Sequence, residues 1–273
     1  MLHGSMTPLV HSEAMGKVDD GRPRYPGEYG QPWPSPAEMG GTMSQSLYEA
    51  WAADRADARF TEWLRQQAEP AWSEATDHRF TRELADGILA DAVMRRYLVQ
   101  DYSFLNSFVR LVASAIVKAP SLADRIPLGR FLGAVSGEEN TYFHRAFDAL
   151  SVPEADRTRP TLRPTTRAFH DVMADAIIAD GYEETLAPLV VFEWLYNEWA
   201  TAVANRQPET FLHRDWIAIH ANQQFDAFVA WLREQLDRDG PRLSPDSQEH
   251  IAEVFCRTVQ LEKAFFDDAY SET

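Results

Sequence analysis

From about residue 46 to the end of the chain, apolar positions recur at helical spacing and strand-like alternation is nearly absent. Ala, Leu, Glu, Arg and Gln dominate, all strong helix formers. Breaks at Thr76-Asp77, Ala119-Pro120, Ser151-Val152-Pro153, Arg163-Pro164, Asp180-Gly181, Gln207-Pro208 and Gly240-Pro241 divide this region into about eight predicted helices. Ser244-Pro245-Asp246 reads as a helix start, a cap residue followed by proline at the first helical position. No repeat period is visible, so the simplest architecture is an all-α multi-helix bundle over residues 46–273. Residues 1–45 carry Pro23, Pro26, Gly27, Gly30, Pro32, Pro34, Pro36, Gly40 and Gly41 and no hydrophobic period. They read as a flexible Pro/Gly-rich N-terminal arm.

Three predicted helices depart from the amphipathic pattern. Leu186–Ala200 reads LAPLVVFEWLYNEWA, apolar nearly all round as a buried helix is, yet it holds Glu193 with Asn197 one turn later. Tyr97–Phe108 holds Asp101 among Tyr, Leu and Phe, and Val254–Tyr270 holds Glu262 between Leu261 and Phe265-Phe266. A carboxylate in an apolar helix is costly unless paired, hydrogen-bonded or protonated. Taken singly, each acid has a structural reading as a wet stripe or an arginine partner. Taken together, three such helices suggest one polar pocket inside the bundle, where desolvation raises carboxyl pKa values toward the range useful for acid/base work.

Composition narrows the partners. Aromatics at 12% and a net charge of −16 favour a sizeable core and disfavour nucleic acid and anionic membranes, which both need clustered Lys and Arg. One cysteine, Cys256, allows neither an intramolecular disulfide nor a cysteine-based zinc site and suits a cytoplasmic protein. No apolar run approaches the length of a membrane span. Trp216, Phe225, Phe228 and Trp231 are expected to pack the bundle or a subunit interface. The runs Asp54-Arg55-Ala56-Asp57 and Asp237-Arg238-Asp239 are expected to be solvated faces and helix ends.

In these segments the chain resembles the TenA/thiaminase II family, from about Phe60 to Tyr270. Phe80-Thr81-Arg82-Glu83-Leu84 with Gly87-Ile88-Leu89 looks like the family's entry segment. Tyr97-Leu98-Val99-Gln100-Asp101 with Phe104-Leu105 looks like its YxxQDxxYL motif, the most specific of the set. Glu139 with His144, Pro164-Thr165, Trp194-Leu195-Tyr196 with Glu198, Trp216-Ile217 with Phe225, and Leu261-Glu262 with Phe265-Phe266 follow in the family's order. The resemblance implies a heme-oxygenase-like fold, a homo-oligomer (dimer or tetramer), no cofactor, no metal, and hydrolysis of an aminopyrimidine with release of ammonia in thiamin salvage. It implies Glu262 as the main acid/base and Tyr196 as a pocket residue bonded to the catalytic group. Asp101 would hold the amino edge, and Phe104 and Phe265 the ring faces.

The family's cysteine slot, four residues before Tyr196, is Phe192 here, and two family tyrosines are replaced by Phe169 and His220. The covalent thiolate route is therefore closed in the family's form. What remains resembles the cysteine-less branch, with Glu193 beside the vacated slot. The expected chemistry is direct hydrolysis, in which Glu262, with Glu193, activates water and protonates the leaving amine. Two alternatives stand beside it. One is a non-catalytic pyrimidine-binding or regulatory protein. The other is a di-iron oxidase on the same fold with ligands drawn from Glu139, His144, Glu193, His213, Asp215 and His220, although Glu139 and His144, five residues apart, leave one helical face.

Overall fold

The computed structural model describes residues 46–272, and the predicted arm lies outside them. Among the described residues the regular structure is helical throughout: α1 (Leu47–Ala52), α2 (Phe60–Gln67), α3 (Ala71–Thr76), α4 (Arg79–Ala85), α5 (Asp91–Lys118), α6 (Leu122–Ala134), α7 (Asn140–Ala149), α8 (Glu154–Thr158), α9 (Pro164–Ile178), α10 (Tyr182–Val203), α11 (Phe211–His220), α12 (Gln223–Asp239) and α13 (Pro245–Tyr270). A π turn, Val135–Glu139, joins α6 to α7 without a break. Counting α6 and α7 as one rod leaves eight helices of eight residues or more, plus short connecting ones, close to the sequence expectation.

The predicted punctuation is physical. Ser244 caps α13 through Ser247 N, with Pro245 at the first helical position, and Pro164 opens α9 without a side-chain cap. Breaks not foreseen occur at Gly87, whose φ of 73° closes α4, and at Ala221-Asn222, where the Asn222 side chain accepts from Gln224 N and Phe225 N to start α12. Gly240 has no room for a Cβ against the Phe60 ring, so the α12–α13 corner requires glycine.

Helix α10 sits at the centre and packs against α5, α9, α11, α12 and α13. That explains its all-round apolar sequence: every face meets another helix. Fifteen of its residues are buried, Glu193 among them. The neighbouring Gln100 staples α5 to the start of α9. Its side-chain nitrogen donates to Thr161 O at 3.1 Å, and its oxygen accepts from Arg163 N at 2.9 Å and Thr166 Oγ1 at 2.7 Å. This fixes Phe169, on α9, relative to Asp101.

The run Asp237-Arg238-Asp239 is more than a solvated helix end. Asp237 accepts from Thr61 N at 2.7 Å and pairs with Arg59, while Arg238 pairs with Asp124 on α6. Glu198 likewise works in packing, accepting from Arg65 at 2.9 Å and from Trp72 Nε1 at 3.2 Å. Asn197, although one turn from Glu193, turns to α12 and donates to Asp226 Oδ1 at 2.7 Å.

Candidate active site

Seven helices present residues to one cavity of about 610 Å³, and most do so at helical spacing. Asp101, Phe104, Leu105 and Phe108 form an i, i+3, i+4, i+7 stripe on α5. Pro127, Arg130, Phe131 and Ala134 form the same stripe on α6, and Gln224, Ala227, Phe228 and Trp231 form it on α12. From α10 come Phe192, Glu193 and Tyr196. Trp216, Ile219 and His220 come from α11, and Glu262 with Phe265 from α13. Phe169 on α9 and Glu139 in the π turn complete the ring of chemistry-bearing groups.

All nine residues singled out in the sequence line this space: Asp101, Phe104, Phe169, Phe192, Glu193, Tyr196, His220, Glu262 and Phe265. Phe192 meets Phe104, Phe108 and Phe169 edge-on, with ring centroids 4.9, 6.0 and 5.5 Å away. Glu193 enters beside it. Phe265 packs edge-on against Phe169 at 5.5 Å and against Tyr97 at 5.3 Å.

Glu139 belongs with the other three acids. Its sequence surroundings gave no apolar run to mark it, because the turn before it is polar. Trp216, Phe225, Phe228 and Trp231, expected in packing or a subunit interface, also line the cavity. Nothing in an amphipathic stripe distinguishes a helix face that meets a cavity from one that meets another helix.

Burial sets the electrostatics. The only cation among the lining residues, Arg130, is exposed at the mouth. Desolvation therefore raises the pKa of every cavity acid. Asp101 rises to about 7, moderated by the Tyr97 hydroxyl, and Glu139 to about 8, with the charge of Asp101 adding to burial. Glu193 is pushed well up by burial and then by Glu139 and Glu262. Glu262 is pushed well up by burial and then by Asp101. Burial thus favours the neutral, hydrogen-donating form of Glu193 and Glu262, beside Asp101 and Glu139, whose values lie near neutral pH.

The remaining polar groups are oriented. The Tyr97 and Tyr196 hydroxyls are 2.7 Å apart. His220 Nδ1 lies 2.9 Å from the Trp216 carbonyl, which can only accept, so this nitrogen carries the proton. Burial holds His220 neutral, with its pKa down to about 4, and leaves Nε2 as an acceptor. Asp101 Oδ2 is buried without a hydrogen-bond partner among the described residues.

The iron-ligand set does not assemble. Glu139, Glu193 and His220 line the cavity, but His144 is exposed beside Tyr102 and Asp215 pairs with Arg145. His213 is buried elsewhere, and among the described residues no group of three or more His, Cys, Asp and Glu could hold a metal. Cys256 is half-buried on α13 outside the cavity, its thiol pKa raised by burial.

The TENA/THI-4/PQQC family profile matches residues 65–272, and the chain belongs to that family. It is 26% identical over 221 residues to an aminopyrimidine aminohydrolase of Halalkalibacterium halodurans, covering 78% of this chain and 96% of the relative. It is 23% identical to an aminopyrimidine aminohydrolase of Bacillus subtilis, covering 78% and 86%. Among solved structures, a TenA family transcription regulator from Silicibacter superposes with a TM-score of 0.69 at 22% identity, covering 77% of this chain and 96% of that one. A domain from Shewanella denitrificans with a heme oxygenase-like fold superposes at 0.56 with 14% identity, covering 77% and 91%; the fold is heme-oxygenase-like. No described helix is long and apolar enough to cross a membrane.

Proposed function

We propose that this chain is an aminopyrimidine hydrolase of thiamin salvage that releases ammonia by carboxyl acid/base catalysis without a cysteine nucleophile. The observation that carries the reading is the convergence of Asp101, Glu193, Tyr196 and Glu262 on one aromatic-walled cavity. The relatives named aminopyrimidine aminohydrolases supply the substrate class.

Asp101, whose Oδ2 has no partner among the described residues, suits the amidine-like edge of an aminopyrimidine. A carboxyl near its midpoint offers one O–H to a ring nitrogen and one oxygen to the amino N–H. Phe104, Phe169 and Phe265 give the ring apolar contacts, each worth on the order of 1 kcal/mol. His220 Nε2 accepts one further donor from the ligand.

The reaction converts an aminomethyl group and water to a hydroxymethyl group and ammonia. Glu262, ionised by entry of a cationic substrate into an otherwise cation-free interior, takes a proton from water as its oxygen bonds to the methylene carbon. The C–N pair returns to nitrogen, which takes a proton from the carboxyl of Glu193. The two carboxyls exchange the proton roles at the end of each cycle. Phe192 seals the side where a thiol would sit and keeps the attacking species an oxygen nucleophile.

The test is ammonia release from 4-amino-5-aminomethyl-2-methylpyrimidine. The expected result is turnover by the wild type and a loss of about 10²–10⁴-fold in Glu262→Gln. No release by the wild type, or an unimpaired Glu262→Gln, sinks the reading.

A further inference from the structure

Burial divides the cavity into two halves of different chemistry. The inner half holds the acids, with Asp101 at 7%, Glu193 at 7% and Glu262 at 2% exposure, and closely packed rings such as Phe169 and Phe265. The outer half, between α6 and α12, holds the half-buried rings of Phe131, Phe228 and Trp231. They form a continuous stack: Phe131 and Phe228 lie 4.0 Å apart at 17°, and Phe228 and Trp231 lie 5.9 Å apart at 22°. Glu139 is half-buried but interacts with Asp101 and Glu193 and so belongs with the inner acids; the outer rings stand apart from all four, and both halves belong to one cavity. Its volume lies in the range of about 300–1,000 Å³ that holds drug-sized ligands, larger than one six-membered ring requires.

We infer that the outer half is a subsite for a planar apolar group carried on the substrate's departing amine, so that the preferred substrate is a secondary aminomethyl heterocycle with an aromatic N-substituent. This rests on the reading of the inner half as the hydrolytic site. The occupant follows from continuity: a ring held at Asp101 with its C–N bond among the acids has open cavity beyond the nitrogen, toward α6 and α12. A secondary amine enters as its ammonium ion, matched to an interior whose lining cation stands only at the mouth. Its substituent then meets ring faces and edges. The bond balance is unchanged. Water oxygen bonds to the methylene carbon as Glu262 takes its proton, the C–N bond breaks with its electron pair going to nitrogen, and the departing group takes one proton from Glu193 and leaves as an aryl-bearing primary ammonium ion.

The experiment compares the primary aminomethyl pyrimidine with its N-benzyl derivative, for the wild type, Phe228→Ala and Trp231→Ala. The quantity read is the ratio of the two kcat/KM values, which cancels any loss of folded enzyme. The expected ratio is about three- to tenfold in favour of the N-benzyl compound in the wild type, falling to about one in both variants. A wild-type ratio at or below one, as when another segment or a second copy of the chain occupies the outer half, overturns the proposal. So does a ratio that neither substitution changes. If the primary amine is not hydrolysed at all, the hydrolase reading fails by itself. The subsite is then judged on the dissociation constants of the same two compounds by calorimetry, with the same ratios expected and the same results overturning it.

Discussion

The hydroxyl of Tyr97 on α5 lies 2.7 Å from the hydroxyl of Tyr196 on α10, and both are buried. One proton occupies the bond between them, so the other hydroxyl hydrogen is free for a cavity acid. Burial and the charges of Asp101 and Glu262 hold both phenols well above their ordinary pKa, so the pair stays neutral and acts as a fixed dipole. Replacing Tyr196 by Phe is expected to lower kcat for ammonia release by about 10- to 100-fold with an unchanged far-UV circular dichroism spectrum. Tyr97→Phe is expected to cost less, because Tyr196 keeps its hydroxyl facing the cavity.

Asp101→Asn and Asp101→Leu separate shape from charge. Asparagine keeps one donor and one acceptor for the heterocycle edge, whereas leucine keeps neither. KM is expected to rise less than about tenfold in Asp101→Asn and by at least about 100-fold in Asp101→Leu, since two ligand groups are then left unpaired. Equal effects in steady-state kinetics would remove the edge contact from the proposal.

Stability should fall as pH rises above neutrality. Asp101 near 7 and Glu139 near 8 bind protons in the folded state that they release below pH 5 when unfolded. Their contribution is complete below the unfolded values and is lost as pH rises through 7 and 8. His220 opposes this only below about 6.5, where its depressed pKa costs stability as pH falls toward 4. Between pH 6.5 and 8.5 the unfolding free energy is expected to drop on the order of 2–3 kcal/mol, and Asp101→Asn should flatten the slope. Denaturant titration at the two pH values measures it.

Phe192→Cys places a thiol where the resemblance expects the family's cysteine, and it is expected to destabilise without supplying thiolate chemistry. The ring is 3% exposed and meets three other aromatic rings, so its removal should cost about 2–4 kcal/mol. A thiol beside four acids and no interior cation is held protonated. Thermal melting should show the first effect, and slow labelling by iodoacetamide at pH 7 the second.

Much of this site was legible because an acid is conspicuous in an apolar run. Asp101, Glu193 and Glu262 stood out for that reason, and Tyr196 came from the family resemblance, which in turn located Phe192 four residues before it. Glu139 was visible only through the family resemblance and as a candidate iron ligand, because it follows a polar turn in which one more acid does not mark a pocket. The outer rings were hidden for a different reason. Phe131, Phe228 and Trp231 sit in ordinary amphipathic stripes, and only the spacing between α6 and α12 turns those stripes toward a cavity. Gln100 was visible as part of a motif, but its task of tying α9 to α5 depends on three partners more than sixty positions away.

The π turn at Val135–Glu139 makes the fourth acid a matter of counting residues rather than of choosing them. A π turn holds one residue more than an α turn. Losing a single codon from this stretch would let the rod from Leu122 to Ala149 close into an uninterrupted α-helix, and the side chains on one side of the deletion would swing about 100° relative to the other. Either Glu139 leaves the cavity or the Pro127–Phe131 face does. One deletion event could thus recast the pocket's charge or its mouth while every remaining amino acid stays the same.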